Sequence, residues 1–140
     1  MTTEQSKAFM RRFLEASADG DSAAFRELMS PEIVAHVAGG PVSREVFLQH
    51  NSVFNAAFSE REFIVEDLTT EADRVVARVT WRGAHTGEFQ GLPPTGKQVE
   101  ISAFIMERIR DGKSVEHWSL FDRVTMMQQL GLIPPPQAAR

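Results

Sequence analysis

The chain has 140 residues, 42% of them hydrophobic and 24% charged, the size and mix of one folded domain rather than a disordered tract. It contains no Cys and no Tyr, which excludes a disulfide framework, a thiolate nucleophile, a thiolate-held metal and a phenol as proton donor. The formal net charge of -4, with no basic cluster beyond Arg11-Arg12, argues against a nucleic-acid partner, and no apolar run approaches the ~20 residues that span a bilayer.

Taken in order, the first sixty residues read as helical. The N-terminus, Met1-Thr2-Thr3-Glu4-Gln5, carries no apolar signal core, so the expected location is the cytoplasm. Phe9, Phe13 and Leu14 recur at helical spacing up to Gly20. Asp21 and Ser22 form an N-cap signal for a short helix with Phe25, Leu28 and Met29, ended by Pro31. A brief run, Ile33 to Val37, meets the breaker Gly39-Gly40-Pro41. Ser43 then opens a third helix, whose predicted apolar stripe runs through Val46, Phe47, His50, Val53, Phe54, Ala57 and Phe58.

Beyond residue 60 the period changes to two, predicting strands at about 61–69, 73–86, 97–110 and 113–121. Asp111-Gly112 is a hairpin turn between the last two, and Gly91 to Lys97 is a rigid loop. Asp122 caps a final short helix closed by Gly131. Helices first and a strand meander afterwards predict an α+β domain over residues 1–131, with an extended tail over 132–140. Alternation puts Val99, Ile101, Ala103, Ile105 and Glu107 on one face of the third strand. On the last strand it sets Val115, His117, Ser119 and Phe121 against Ser114, Glu116, Trp118 and Leu120. Apolar groups on both faces of that strand predict one face in the core and the other in a homodimer contact.

No nucleophile elbow, zinc helix, dinucleotide fingerprint or phosphate loop is present, and no ligand cluster has metal spacing, so neither metal nor cofactor is expected. The chemistry falls to histidines and carboxylates. His50 interrupts the predicted helical stripe and His117 the inward strand face, so both are expected to meet one cavity as candidate bases. His36 lies in an apolar run, and His85 reads as an exposed loop residue. Glu107 reaches the cavity mouth, Trp81 lines it, and Glu116 is expected to pair with Arg78 or Arg82. Asp122 is a helix cap or, less readily, a catalytic carboxylate.

Gly83-Ala84-His85-Thr86-Gly87-Glu88-Phe89 and Gly91-Leu92-Pro93-Pro94-Thr95-Gly96-Lys97 together resemble the central motif of the SnoaL-like polyketide cyclase (ester cyclase) family. Asp111-Gly112-Lys113, Glu116-His117-Trp118 and Gln128-Gln129-Leu130-Gly131 resemble its C-terminal signature. Ser30-Pro31-Glu32 with His36, and Asp73-Arg74-Val75 with Arg78, also fit, so the likeness spans about residues 6 to 131. It implies a cone-shaped α+β barrel of the nuclear-transport-factor type, with N-terminal helices packed in a strongly curved, mainly antiparallel sheet. A deep apolar pocket and association through the outer sheet face are implied too. The family's activity is an intramolecular aldol closure without metal or coenzyme, in which a pocket aspartate removes an α-proton and a histidine assists.

Carried onto this chain, the aspartate's place is Ser119 and the assisting histidine's is Ile105, and neither takes a proton from carbon. The family's pocket position on the third helix falls at His50 and its last-strand histidine at His117. Two readings stay open. One is a cofactor-free cyclase- or isomerase-type enzyme acting on an apolar polyketide-like or aromatic molecule. Its base is His50 or His117, with Asp122 as a weaker candidate, and its pocket is lined by His36, Trp81, Ile105, Glu107 and Ser119. The other is a non-catalytic module that binds a hydrophobic ligand or dimerises.

Overall fold

The computed structural model describes residues 1–136. Its elements follow in the order α1 (Thr3–Asp19), α2 (Ser22–Glu27), β1 (Met29–Val37), β2 (Gly40–Val42), α3 (Arg44–Ala57), β3 (Phe58–Glu71), β4 (Arg74–His85), β5 (Gln98–Arg110), β6 (Lys113–Phe121) and α4 (Arg123–Leu130). Local chemistry fixes the helix starts. Thr2 accepts the Gln5 amide at 3.1 Å while the Gln5 side chain takes the Thr2 amide at 2.9 Å, a reciprocal capping box. Asp21 and Ser43 cap α2 and α3 in the same sense, through the amides of Ala24 and Val46.

Two strands lie where helix or breaker was expected. Ile33 to Val37 belongs to β1, and Gly40-Pro41-Val42 folds back on it as β2. The reason is non-local: β1 pairs in parallel with β6, some eighty residues later, which no short-range pattern announces. The sheet order is β2-β1-β6-β5-β4-β3, antiparallel except at β1–β6. It curves around the helices as an α+β cone without closing, since β2 and β3 remain edges. Of the predicted tail, residues 132–136 are exposed and 137–140 lie outside the described residues.

The β5–β6 hairpin turns on Asp111 (φ 52°) and Gly112 (φ 75°), the left-handed pair that a two-residue turn demands. Its ladder starts at Arg110–Lys113 and Ile109–Ser114, but Arg108 then stands opposite Glu116. Val115 is therefore an extra residue, a bulge that puts Ser114 and His117 on the same buried face, opposite to the plain alternation. From Glu116 onward the alternation resumes: His117 is buried, while Trp118 is on the outer side beside His36.

Phe9, Met10, Phe13 and Leu14 of α1 pack in one cluster with Val75, Ala77 and Val79 of β4 and Ala103 and Ile105 of β5. A second cluster gathers Phe58, Trp81, Phe89, Val99, Ile101, Met126 and Leu130 beneath α4 and the 86–97 loop. Polar side chains fasten the helices together. Ser17 O accepts from Asn51 Nδ2 at 3.2 Å and Asn55 Nδ2 at 2.7 Å, and Ala18 O accepts from Arg61 Nε at 2.8 Å, which satisfies the carbonyls at the end of α1. That arrangement turns Phe47 and Asn55 of α3 into the protein, with Asn51 on α1, and leaves Val46, His50 and Val53 exposed.

After β4 the chain runs hard against α3, and both Thr86 and Gly87 amides donate to Ala57 O. A Cβ at Gly87 would lie 2.2 Å from Ala56 O, a backbone atom that cannot swing away. Gly87→Ala is expected to cost about 1–3 kcal/mol and to lower Tm by on the order of 5–10 °C in thermal melts. An unchanged Tm would show that this contact is not a constraint.

Candidate active site

Glu107 and His117 face each other across the β5–β6 ladder, at 0% and 2% exposure. His117 Nδ1 lies 2.5 Å from Glu107 Oε2, and the Ser114 hydroxyl donates to Glu107 Oε1 at 2.7 Å. Both carboxyl oxygens are thus bonded. Burial raises the Glu107 carboxyl above its ordinary value, while the charge and hydrogen bond of His117 and the Ser114 hydroxyl pull it down. A carboxylate on Nδ1 fixes the neutral imidazole with its proton there, leaving Nε2 as the acceptor. Nε2 is buried and has no protein partner. Phe13 and Phe47 lie against the ring, with centroids 5.6 and 4.4 Å away, so the imidazole is held on its faces and open only along an edge.

His117 lines a cavity of about 60 Å³ between the sheet and α1–α3. Its walls are mainly aromatic, from Phe13, Phe25, Phe47, Phe63 and Phe121, with Leu14 and Ile105. Polar groups sit at two places. Ser119 is beside His117 on the sheet, and Ser17 and Asn51 are on the helices, joined by a 2.8 Å hydrogen bond from the Ser17 hydroxyl to Asn51 Oδ1. Among the described residues no lysine or arginine contributes to the lining, so none of them holds an anionic group there. A larger cleft of about 260 Å³, bordered by Met1, Ser6, Ala72, Asp73, Ile109 and Asp111, lies at the opposite end of β5 and has no histidine. Chemistry rather than volume selects the smaller cavity.

Of the residues singled out in the sequence, the structure brings Glu107, His117, Ser119 and Ile105 to this place. Glu107 lies beneath the imidazole rather than at a mouth. Four others go elsewhere. His50 is exposed, because α3 packs through Phe47 and the Asn51/Asn55 pair; the polar inward face misled the reading of its stripe. His36 is on the outer sheet face, bonded through Nε2 to Glu116 Oε2 at 2.7 Å and stacked on Trp118 at 5.1 Å. Trp81 belongs to the second core cluster, edge-on to Phe58. Asp122 is exposed and caps α4, accepting from the Thr125 hydroxyl at 2.6 Å and the Thr125 amide at 3.1 Å; these bonds lower its carboxyl below the ordinary value.

Other expectations change as well. Glu116 pairs with Arg108 and His36, while Arg78 and Arg82 take Asp67 and Glu62. His85 is fully buried, with Nδ1 held by the Thr95 hydroxyl and amide at 2.9 and 3.2 Å. Ser17, Asn51 and Ser114 escaped the sequence reading; the i, i+4 pair Asn51/Asn55 was the one visible signal. Among the described residues no three His, Asp or Glu side chains come together as a metal site, and no helix is long and apolar enough to cross a membrane.

A curved, mainly antiparallel sheet wrapped on N-terminal helices, with Glu107 and His117 buried beside an apolar cavity, is a cone of the nuclear-transport-factor type. The SnoaL-like polyketide cyclase family model matches residues 7–130, and the chain belongs to that family. IdmH of Streptomyces antibioticus, a proposed polyketide cyclase, is 37% identical with a TM-score of 0.81 over 91% of this chain and 99% of its own. AclR of Streptomyces galilaeus, a proposed hydroxylase, is 29% identical with a TM-score of 0.90 over 97% of this chain and 87% of its own. A SnoaL-like protein from Jannaschia sp. CCS1, a proposed cyclase, is 27% identical with a TM-score of 0.83 over 96% of this chain and 95% of its own. No curated protein matches the chain in sequence.

The raised Glu107 carboxyl has a signed consequence for stability. Protonated Glu107 favours the fold below the ordinary carboxylate value near 4.5, and that contribution is lost as pH rises through the raised folded value. Glu107→Gln has no such proton to lose. Its Tm relative to the wild type should therefore climb as pH is raised upward from about 4.5. A gap that stays flat or narrows would mean that His117 fully offsets the buried charge.

Proposed function

We propose that this protein is an acid–base enzyme, independent of metal and coenzyme, that acts on an uncharged apolar molecule bearing carbonyl oxygens. The observation that carries this reading is the buried Glu107–His117 pair, whose free Nε2 edges an apolar cavity. His117 is the base and Glu107 orients it. In a cyclase- or isomerase-type step, a C–H between two carbonyls gives its proton to Nε2, and the electron pair moves onto oxygen. Such a proton is acidic enough for an imidazole, and the Ser119 hydroxyl is placed to bond the enolate oxygen. In an aldol closure the enolate carbon then bonds to a second carbonyl carbon of the same molecule. His117 returns the proton to the new alkoxide, so nothing is consumed.

This reading relocates the base within the family frame. Ser119 stands where the family's aspartate is placed by resemblance, and His117, two residues earlier on the same face, takes its role. The absence of cations from the lining and the carboxylate below the imidazole both favour neutral substrates. A cavity of about 60 Å³ is smaller than the ~300 Å³ at which drug-sized pockets begin. Binding a polycyclic substrate therefore requires the aromatic lining to part, with half-exposed Phe121 at its edge.

The proposed assembly is a homodimer through the outer sheet face. Val34, Phe104 and Leu120 are exposed there at 42, 53 and 77%, next to Trp118, which lies between His36 and Arg108.

Three outcomes are expected. His117→Gln should reduce turnover of a responsive substrate by ~10²–10⁴-fold with the fold intact, whereas His50→Gln should leave it unchanged. Full turnover in the His117 variant would overturn the assignment of His117 as the base. Exhaustive chelation should change neither turnover nor Tm; a loss restored by one divalent ion would overturn the metal-independent mechanism. Sedimentation at micromolar concentration should show a dimer that Leu120→Lys converts to monomer, and a monomeric wild type would refute the interface.

A further inference from the structure

We propose that Ser114 is a positioning residue of this site: its hydroxyl pins Oε1 of Glu107, so that Oε2 alone meets His117 Nδ1 and holds the imidazole with Nε2 free to accept a proton. The inference rests on the acid–base reading above and extends it to a residue that touches neither substrate nor imidazole.

The geometry is specific. Ser114 is fully buried, and its hydroxyl has one proton for two acceptors, Glu107 Oε1 at 2.7 Å and Glu116 O at 3.1 Å. The shorter contact and the charge both favour the carboxylate. With Oε1 occupied as an acceptor, a proton on the carboxyl resides on Oε2, in line with Nδ1 at 2.5 Å. Once Nε2 has accepted a proton, the Nδ1 proton can shift toward Oε2 without rotating the carboxyl, leaving a neutral ring protonated on Nε2, and the number of protons on the pair changes only at Nε2. Without the hydroxyl, Oε1 would be a bare oxygen in a dry interior, and either oxygen could carry the proton.

Ser114 and His117 share the buried face only because of the bulge at Val115. In plain register from the turn Ser114 would still stand opposite Ile109, but Glu107 would face Glu116 and His117 would turn outward. One inserted residue thus delivers both partners of the carboxyl, and bulges commonly re-aim side chains beside functional sites. The position is rigid, since the Ser114 amide donates to Leu28 O at 2.8 Å and the residue lies between β1 and β5. The elements packed around the carboxyl contribute Val75 from β4, Ala35 from β1, Phe13 from α1 and Phe47 from α3, none of them ionisable. Among the described residues His117 is the one ionisable group that bears on it.

The test is NMR on full-length protein, following the Glu107 carboxyl carbon and the His117 ring nitrogens, with Glu107→Gln used to assign the carboxyl signal. In Ser114→Ala the carboxyl should hold its proton about tenfold more tightly than in the wild type, and the ring should change from one neutral tautomer to a mixture. Ser114→Thr, which keeps the hydroxyl, should restore both. If Ser114→Ala does not fold, Ser114→Cys, nearly isosteric but a weaker donor, should move both signals in the same direction. An unchanged titration and tautomer in Ser114→Ala or Ser114→Cys would overturn the proposal. The acid–base reading stands or falls separately on turnover in His117→Gln, so the two failures are distinguishable.

Discussion

A carboxylate with no water around it must be bonded by the protein or give up its charge, and Glu107 sits at the centre of this fold under that constraint. The effective cost of burying an ion is still several kcal/mol after relaxation, a sizeable share of a domain's stability of about 5–15 kcal/mol. The chain meets it with two neutral donors from the adjacent strand, the Ser114 hydroxyl and the His117 ring. Both meet Glu107 only because β6 departs from plain register, which would put Glu116 opposite Glu107 and turn His117 outward. The Asp111-Gly112 turn starts the ladder, the extra residue Val115 shifts it, and the shift puts the imidazole over the carboxyl.

A second histidine–glutamate pair joins β1 to β6 on the other face of the sheet, which shows how much environment decides. His36 and Glu116 are 2.7 Å apart, but both are partly exposed and Glu116 also holds Arg108. Solvent and a neighbouring cation screen that pair, leaving it a contribution of the order of a surface ion pair, ~0–1 kcal/mol. The inner pair has no solvent and no cation, and its imidazole is gripped by two phenyl rings. Similar functional groups on the two faces of one sheet thus make a partly solvated contact outside and a dry one inside.

The aromatic lining and the pair below it are complementary. Phenyl walls exclude water, which strengthens the Glu107–His117 interaction and keeps Nε2 without a competing partner. The helices close the cavity through polar contacts: Ser17, Asn51 and Asn55 link α1 to α3. Membership of the SnoaL-like family therefore accounts for the cone and its apolar interior, while the acid–base groups come from this chain's own side chains at Glu107, Ser114 and His117.

Much of the fold was legible locally. Thr2, Asp21, Ser43 and Asp122 cap helices through their own side chains, and the period-two runs of β3 to β6 need no distant information to be read as strands. The burial of Glu107 and His117 also followed from alternation on β5 and β6. Tertiary structure decided the rest. β1 is a strand because β6 lies beside it in parallel, a pairing across some eighty residues. His50 faces solvent because α3 turns Asn51 and Asn55 toward the carbonyls of α1, so that hydrogen bonding outweighs its apolar stripe. Ser114 and His117 face inward together because one residue is inserted into the ladder, and a one-residue slip reverses the facing of a strand side chain. Composition and periodicity determine which residues are able to be buried; which of them meet is set by register and helix rotation, and these depend on partners far away in the chain.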